Sequence, residues 1–308
     1  MIEIVRYTPD KKQEWDDFVE RADNYSFLFF RDYVEYHHSR FNDCSLMLYE
    51  KNKLKALLPA NVNANHFYSH QGLTYGGMIC KSNISFENVV MYYDELIHFI
   101  KMIGYQVYTF KTIPYFYHSS LCQSQDFYFD MKGSYNKNQD LGAFIYCRNH
   151  EFPKSSIERR KLRLDLFAFE DQVSIEEFWP VLESNLKEQH QTTPIHTIDE
   201  IKSLQEKFSS RIYVNAVRNN TTNKIDAGSV LFDNGEVLKM QYIATSSEGR
   251  SNRAIHALYY LIIDKFKKSK EFIDLGTCMI NDDVNLSLLY LKQRFGASIY
   301  VANKYTNR

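Results

Sequence analysis

The stretch from Val237 to Tyr305, VLKMQYIATSSEGRSNRAIHALYYLIIDKFKKSKEFIDLGTCMINDDVNLSLLYLKQRFGASIYVANKY, decides how the rest of the chain is read. It reads as strand, Gly-containing turn, amphipathic helix, strand, helix and strand. Val237 to Thr245 is apolar or aromatic at Val237, Leu238, Met240, Tyr242, Ile243 and Ala244, which predicts a strand, and the polar run Ser246 to Asn252 ends it. Ala254, Ile255, Ala257, Leu258, Leu261, Ile262, Lys265 and Phe266 then recur at helical spacing, with Ser251 or Asn252 suited to cap the helix. A strand feeding a Gly-containing turn into a helix N-terminus gathers unpaired backbone N–H groups and the positive end of the helix dipole at one point, which favours a diphosphate. The plainer alternative is an ordinary strand–helix unit in which Gly249 only permits a tight turn.

This segment resembles motif A of the GNAT acyltransferase fold, in which a strand, a pyrophosphate loop of Q/R-x-x-G-x-G/A type and a helix bind the phosphopantetheine and pyrophosphate of acyl-CoA. The loop here, Glu248 to Ala254, has one glycine and a closing alanine. The strand Glu271 to Thr277 and the helix Val284 to Phe295, closing on Gly296, resemble the next strand and helix of that fold. Asn285, Leu291-Lys292 and Phe295-Gly296 are similar to the N…(F/L)K..FG pattern of the Fem-type branch, nonribosomal peptidyltransferases built from two GNAT-like halves. Ordinary GNAT enzymes usually carry a Tyr where Lys292 stands, and this departure points to the Fem-like branch.

The resemblance implies an α/β fold of two tandem GNAT-like domains, mixed sheets flanked by helices, and a set of site residues. The donor, acyl-CoA, would lie along Tyr242, Ile243 and Ala244, whose backbone groups pair with the pantetheine amides like an added strand. Its pyrophosphate would sit on Gly249, Arg250, Ser251, Asn252, Arg253 and Ala254, with Asn285 a further donor-binding candidate. An amine attacking a thioester needs an oxyanion stabiliser and a route for its proton. Lys292 is the candidate for the charge or for the donor's phosphate, and Asp274 or Glu248 for the proton, against their plainer readings as a solvent-facing lysine and structural acids.

In chain order, Ile2 to Tyr7 reads as a strand, Lys11 to Ala22 and Phe27 to Arg40 as helices, and Ser45 to Glu50 and Lys53 to Asn61 as strands joined at Lys51-Asn52. The Gly-rich segment His66 to Ile79 follows, then a long helix from Phe86 to Ile103 and the strand Gln106 to Thr112. This order repeats that of the C-terminal stretch with almost no residue identity, a weak internal repeat. It places the division at 1–145 and 146–308, with the acceptor in the cleft between the halves. Ser69, His70, Tyr75 and Lys111 fall at loop or strand ends in the first half and are the acceptor candidates. The phrases SHQGLTYGG and YHHSRFND also resemble a subgroup of bacterial GNAT-fold proteins often assigned to cell-surface polysaccharide pathways. Between the halves, Lys154, Arg159, Arg160, Lys161 and Arg163 form a basic cluster: a solvated helix face or, through Arg159 and Arg160, a contact to a phosphate-bearing acceptor. Helices are expected at Ile175 to His190 and Thr197 to Ser209, the latter with Glu200 at the capping-box position. Strands Arg211 to Arg218, Ile225 to Asp233 and Val237 to Thr245 form a meander, and Asn234-Gly235 is the strongest hairpin signal in the chain.

Bulk properties exclude several classes. The chain has 308 residues, enough for two domains with cores of their own. Its formal net charge of −1 argues against a general nucleic-acid or anionic-membrane binder. The longest apolar run, Ala257 to Ile263, is far shorter than the roughly 20 residues of a membrane span. Five widely spaced cysteines without Cys-x-x-Cys and the lack of a signal-like N-terminus fit a reducing cytoplasm. Neither a zinc-spaced cysteine pair nor a His-x-x-x-His with a partner acid occurs, and His190/His196 stand without metal-ligating company, so no metal is expected. G-x-S-x-G and P-loop patterns are absent as well.

The expected activity is acyl transfer to an amine on a sugar nucleotide or cell-envelope precursor. Balanced charge and the lack of a helical-hairpin arm favour acyl-CoA over aminoacyl-tRNA, the donor of Fem-type enzymes. The alternative from another class is an inactive GNAT-fold module that binds carbohydrate or protein. The oligomeric state is left open.

Overall fold

Residues 1–81, 84–154 and 162–307 are described by the structure, a computed structural model. The first strand pair forms as Leu46–Glu50 and Lys53–Leu58, turned at Lys51 and Asn52, whose φ of 50° and 60° is the left-handed geometry a two-residue hairpin needs. Ile2–Arg6 joins one side of the pair and Ile79–Cys80 the other. A second group of strands runs Asn42–Asp43, Asn61–Asn63, His66–Tyr68 and Val107–Lys111, the last two parallel, with His66 opposite Val107 and Tyr68 opposite Thr109. The crossover between them is the helix Phe86–Met102, capped by Ser85, whose Oγ accepts from the Asn88 amide at 3.2 Å. That helix buries Val89, Tyr92, Tyr93, Leu96, Ile97 and Ile100, one stripe at helical spacing, against Phe67, Tyr108, Phe110 and Tyr305.

Tyr305 belongs to the far end of the chain. Lys304, Tyr305 and Thr306 pair antiparallel with Lys111, Phe110 and Thr109, so one compact unit is Met1–Asp140 together with Val301–Arg308. The other is Leu141–Tyr300. The expected division at 1–145 and 146–308 differs from this in its boundary and in the last strand, whose Tyr305 packs into the first unit's core. A correction concerns Phe27 to Arg40. It forms two short turns, Phe27–Phe29 and Arg31–Val34, broken by extended Phe30 (ψ 144°). Phe27, Leu28, Phe29, Arg31, Tyr33 and Val34 are all buried, and Arg31 is held by Asp43 at 2.6 Å and Glu35 at 2.9 Å, so one continuous helix could not bury every face.

In the Leu141–Tyr300 unit, the sheet order is Phe167–Glu170, Ile212–Asn219, Ile225–Asp233, Val237–Thr245, Phe272–Thr277 and then the part of Tyr135–Tyr146 from Leu141 onward. The meander turns at Asn234-Gly235 with Gly235 at φ 85°. The crossover to the parallel strand Phe272–Thr277 is the helix Ala254–Phe266, whose Ala257, Leu258, Ile262 and Ile263 pack on Leu238, Met240, Ile273 and Leu275. The helix Ile198–Lys207 has the expected capping box: the Glu200 amide donates to Thr197 Oγ1 at 3.2 Å, and the Thr197 amide to Glu200 Oε2 at 2.8 Å. Among the described residues no helix is long and apolar enough to cross a membrane.

Candidate functional site

The two parallel strands of the second unit part company after three rungs. Val237, Leu238 and Lys239 pair with Phe272, Ile273 and Asp274, and no further rung joins them. Two features end the pairing. Gly276, at φ 78°, turns the second strand aside, while Asp274 Oδ1 accepts the Gly276 amide at 2.8 Å and fixes that turn. On the first strand, a bulge places Gln241 between Met240, opposite Leu231, and Tyr242, opposite Val230, which adds local twist. Met240 to Thr245 therefore keeps the Ile225–Asp233 strand on one side and, up to Ala244, presents backbone N–H and C=O groups on the other, the Thr245 carbonyl accepting from Asn185 Nδ2 at 3.0 Å. A cavity of about 690 Å³ opens there. Its walls are the Met240–Thr245 edge, Gly276 and Thr277 of the diverging strand, Leu288, Leu291 and Lys292 of the helix Leu286–Gln293, and Leu182, Asn185 and the 192–195 loop beyond the helix Ile175–His190.

Tyr242, Ile243, Ala244 and Lys292 are thus brought together on one cavity. Lys292 is 2% exposed, and its Nζ donates to the carbonyls of Gly276 at 2.9 Å and Thr277 at 2.7 Å. Burial pushes its pKa down, and the buried Cys278 thiol lies beside it. It is not the solvent-facing lysine of the plain reading. Asp274 is a different case. Its carboxylate is 1% exposed, accepts from Lys239 Nζ at 3.0 Å and from Tyr300 Oη at 3.1 Å, and stays off the cavity wall, where it clamps the last strand rung. Glu248 is exposed on the turn and hydrogen-bonded by Ser247.

The expected diphosphate turn takes another form. Ser247–Asn252 is a short helix capped by Ser246, and Arg253, at φ 60°, links it to Ala254–Phe266, so neither Ser251 nor Asn252 caps the long helix. The amides of Gly249 and Arg250 already donate to Ser246 Oγ and Ser246 O. Gly249 has helical backbone, and what requires glycine is space: a Cβ there would collide with the carbonyl oxygen of Asp226. Arg250 pairs with Glu188 at 2.7 Å, and Asn252 reaches Asp226 Oδ2 at 3.4 Å. Gly249 to Ala254, including exposed Ser251 and Arg253, are absent from the cavity wall, to which Thr245 and Ile255 contribute instead. Asn285 is the cap of the following helix, its Oδ1 accepting the Leu288 amide at 3.0 Å, and it too stays off the wall.

In the first unit, Ser69, His70 and Lys111 border a cavity of about 400 Å³, together with His66, Tyr68, Gln71, Thr109, Asn138, Lys304 and Thr306. Alternation explains the set: Tyr108 and Phe110 face the helix, so Thr109 and Lys111 face the cavity. Ser69 Oγ accepts the Lys111 amide at 2.7 Å. Lys111 Nζ donates to Leu73 O at 2.7 Å and Gln71 O at 3.3 Å, and burial with Lys304 nearby pushes its pKa down to about 8. His70 is 1% exposed with φ 65° and stacks 4.9 Å from His37, and burial, with His37, Lys111 and Arg31 nearby, pushes its pKa well below the usual histidine range. Tyr75 is not brought there. It is a core residue, its Oη 3.0 Å from Ser26 Oγ and its ring against Phe29 and Tyr117. Arg159 and Arg160 lie outside the described residues. No group of three or more His, Cys, Asp or Glu able to hold a metal comes together among the described residues.

Gln241, on the cavity wall and marked only by the bulge, was not among the expected site residues, and His196, weighed in the sequence only as a metal ligand and not itself on the wall, has its Nδ1 2.5 Å from Tyr242 Oη. No spacing rule links positions 196 and 242. Asp226 was missed as well, although its main chain and carboxylate hold Thr245, Ser246, Asn219 and Asn252.

No family model matches the sequence, and no curated protein matches it. Solved structures do. The crystal structure of FemX superposes with a TM-score of 0.67 at 10% identity, covering 98% of this chain and 96% of that one. The structure of L-PGS from Bacillus licheniformis gives 0.57 at 12% identity over 98% and 92%. A tandem GNAT protein from the clavulanic acid biosynthesis pathway, solved without AcCoA, gives 0.56 at 8% identity over 99% and 98%. The chain has this Fem-like fold of two GNAT-like halves.

Proposed function

We propose that the protein is an acyltransferase that moves an acyl group from acyl-CoA to an amine, the donor bound in the Leu141–Tyr300 unit. The observation that carries this reading is the open Met240–Thr245 edge beside a cavity walled by Lys292. Pantetheine is a chain of amides, and such a chain pairs with an open strand edge as a further strand would. Amides of that edge donate to the thioester oxygen, and the Lys292 ammonium stabilises the negative charge that gathers there in the transition state. With two of its N–H groups on carbonyl oxygens, Lys292 acts by its charge and by holding the mouth of the cavity open.

The acceptor in this reading is an amine-bearing sugar nucleotide or cell-envelope precursor, contacted by the polar cavity of the first unit. Lys111 and Lys304 suit phosphate oxygens, and the stacked His66 and Tyr68 rings, 3.9 Å apart, offer a flat face to a base or sugar. The likeness to FemX supports a second reading, in which aminoacyl-tRNA is the donor. The two readings separate on salt dependence. Acetyl-CoA at 100 times its dissociation constant is expected to add about 2.7 kcal/mol of stability. Tight tRNA binding that falls steeply with salt, with no response to any acyl-CoA, would move the assignment to the second reading. A protein that binds neither is the inactive carbohydrate- or protein-binding module.

A further inference from the structure

Amide formation releases a proton from the attacking nitrogen, yet no carboxylate is found among the described residues that wall the second cavity. Asp274 is committed to Lys239 and Tyr300. The titratable side chains on the wall are Lys292, Tyr259 and Tyr242. Lys292 is engaged as a donor, and Tyr259 is 2% exposed with its pKa raised by burial. Tyr242 has an imidazole at its hydroxyl. Its Oη lies 2.5 Å from His196 Nδ1 and accepts the His196 backbone N–H at 3.3 Å.

The pair is held from several sides. Tyr242 is fixed by its rung to Val230, and the Trp179 ring meets it edge-on at 5.7 Å. His196 directly precedes Thr197, whose capping box anchors the chain, and its imidazole stands at 89° to the phenol ring. A phenol oxygen donates one hydrogen bond and accepts two. We infer, resting on the acyl-transfer reading above, that Tyr242 and His196 relay the amine's proton. As the nitrogen attacks the thioester carbonyl carbon, its N–H proton passes to Tyr242 Oη while the phenol's own proton passes to His196 Nδ1. The C–N bond forms, the C–S bond breaks, and the coenzyme thiolate leaves with the electron pair. The imidazolium then returns its proton to thiolate or solvent, so one amine and one thioester give one amide and one thiol. Tyr242 touches substrate and is the catalytic residue, and His196 is a positioning residue that acts through it.

The test uses the full chain, acetyl-CoA and a panel of primary amines, reading thiol release, together with nitrogen NMR of His196. Tyr242→Phe is expected to bind acetyl-CoA as before and to lose about 10²-fold in kcat, and His196→Gln about tenfold in kcat with KM unchanged. The resting His196 is expected to carry its proton on Nε2, with an Nδ1 resonance that moves in Tyr242→Phe. A resting proton on Nδ1 would overturn the relay without any turnover measurement, because that atom could not then accept one. An undiminished kcat in Tyr242→Phe, or a loss confined to donor affinity, would overturn it too while leaving acyl transfer standing. If no acyl-CoA and amine pair yields thiol even with the unsubstituted protein, acyl transfer falls and takes the relay with it.

Discussion

Each unit contains a parallel strand pair and a lysine that grips two backbone carbonyls, yet the two cavities differ in kind. In the first unit Lys111 stands on the second strand of the pair and holds Gln71 and Leu73 of the loop beyond the first strand. The cavity is then a patch of sheet face, lined by the polar side chains of alternate residues. In the second unit Lys292 comes from the following helix and holds Gly276 and Thr277, where the second strand turns away. The strands stay apart, and the first presents its backbone. The same device yields a side-chain surface suited to charged groups in one case and a backbone edge suited to an amide chain in the other.

The sharpest way to test that contrast is to remove each lysine. Lys292→Met is expected to lower kcat by about 10²-fold or more with donor affinity little changed, because the charge acts on the transition state. Steady-state kinetics with acetyl-CoA check this. Lost donor binding with turnover intact at saturation would instead make Lys292 a phosphate contact. Gly249→Ala is expected to cost about 2–3 kcal/mol of stability in urea unfolding, since its methyl group meets the Asp226 carbonyl oxygen. Affinity for acetyl-CoA should follow the folded fraction. A specific loss of affinity in a fully folded variant would restore the turn as the diphosphate site.

Lys111 gives the pH arm of the comparison. Its ammonium is charged below a pKa of about 8, so affinity for UDP-N-acetylglucosamine as a probe should fall as pH rises through that value. A drop of about tenfold is expected by calorimetry between pH of about 7 and about 9.5, and Lys111→Met should abolish the trend. The same depression below 10.5 means that burying the charged form opposes folding at low pH, so the first unit should gain stability as pH rises from about 8 toward 10.5. The smallest effect is Thr197→Ala, expected to cost about 1 kcal/mol, since it leaves the Glu200 amide without its acceptor.

What the sequence made legible was local. The Asn234-Gly235 hairpin, the Thr197 and Glu200 capping box and the Phe86–Met102 stripe were all readable, because turn chemistry, caps and a 3.6-residue period act over a few neighbours. Strands that break the pattern were not. Tyr135–Tyr146 begins with an exposed polar run and lacks alternation, and Phe167–Glu170 is held as an edge by Ile212–Asn219. The Fem-like pattern singled out Lys292, which lines the cavity, while Asn285 caps the following helix and Gly249 packs against the Asp226 carbonyl.

Sequence by itself therefore determined the order of the main helices and strands from Ile175 to Gln293 and singled out Lys292. Only the tertiary structure decided that the cavity exists, that Asp274 is a clamp, that the last strand completes the first unit, and that His196 meets Tyr242. Each of these depends on groups far apart in the chain, and their meeting is set by where two strands stop pairing, a choice made by packing around Lys239, Asp274 and Gly276 that no local period encodes.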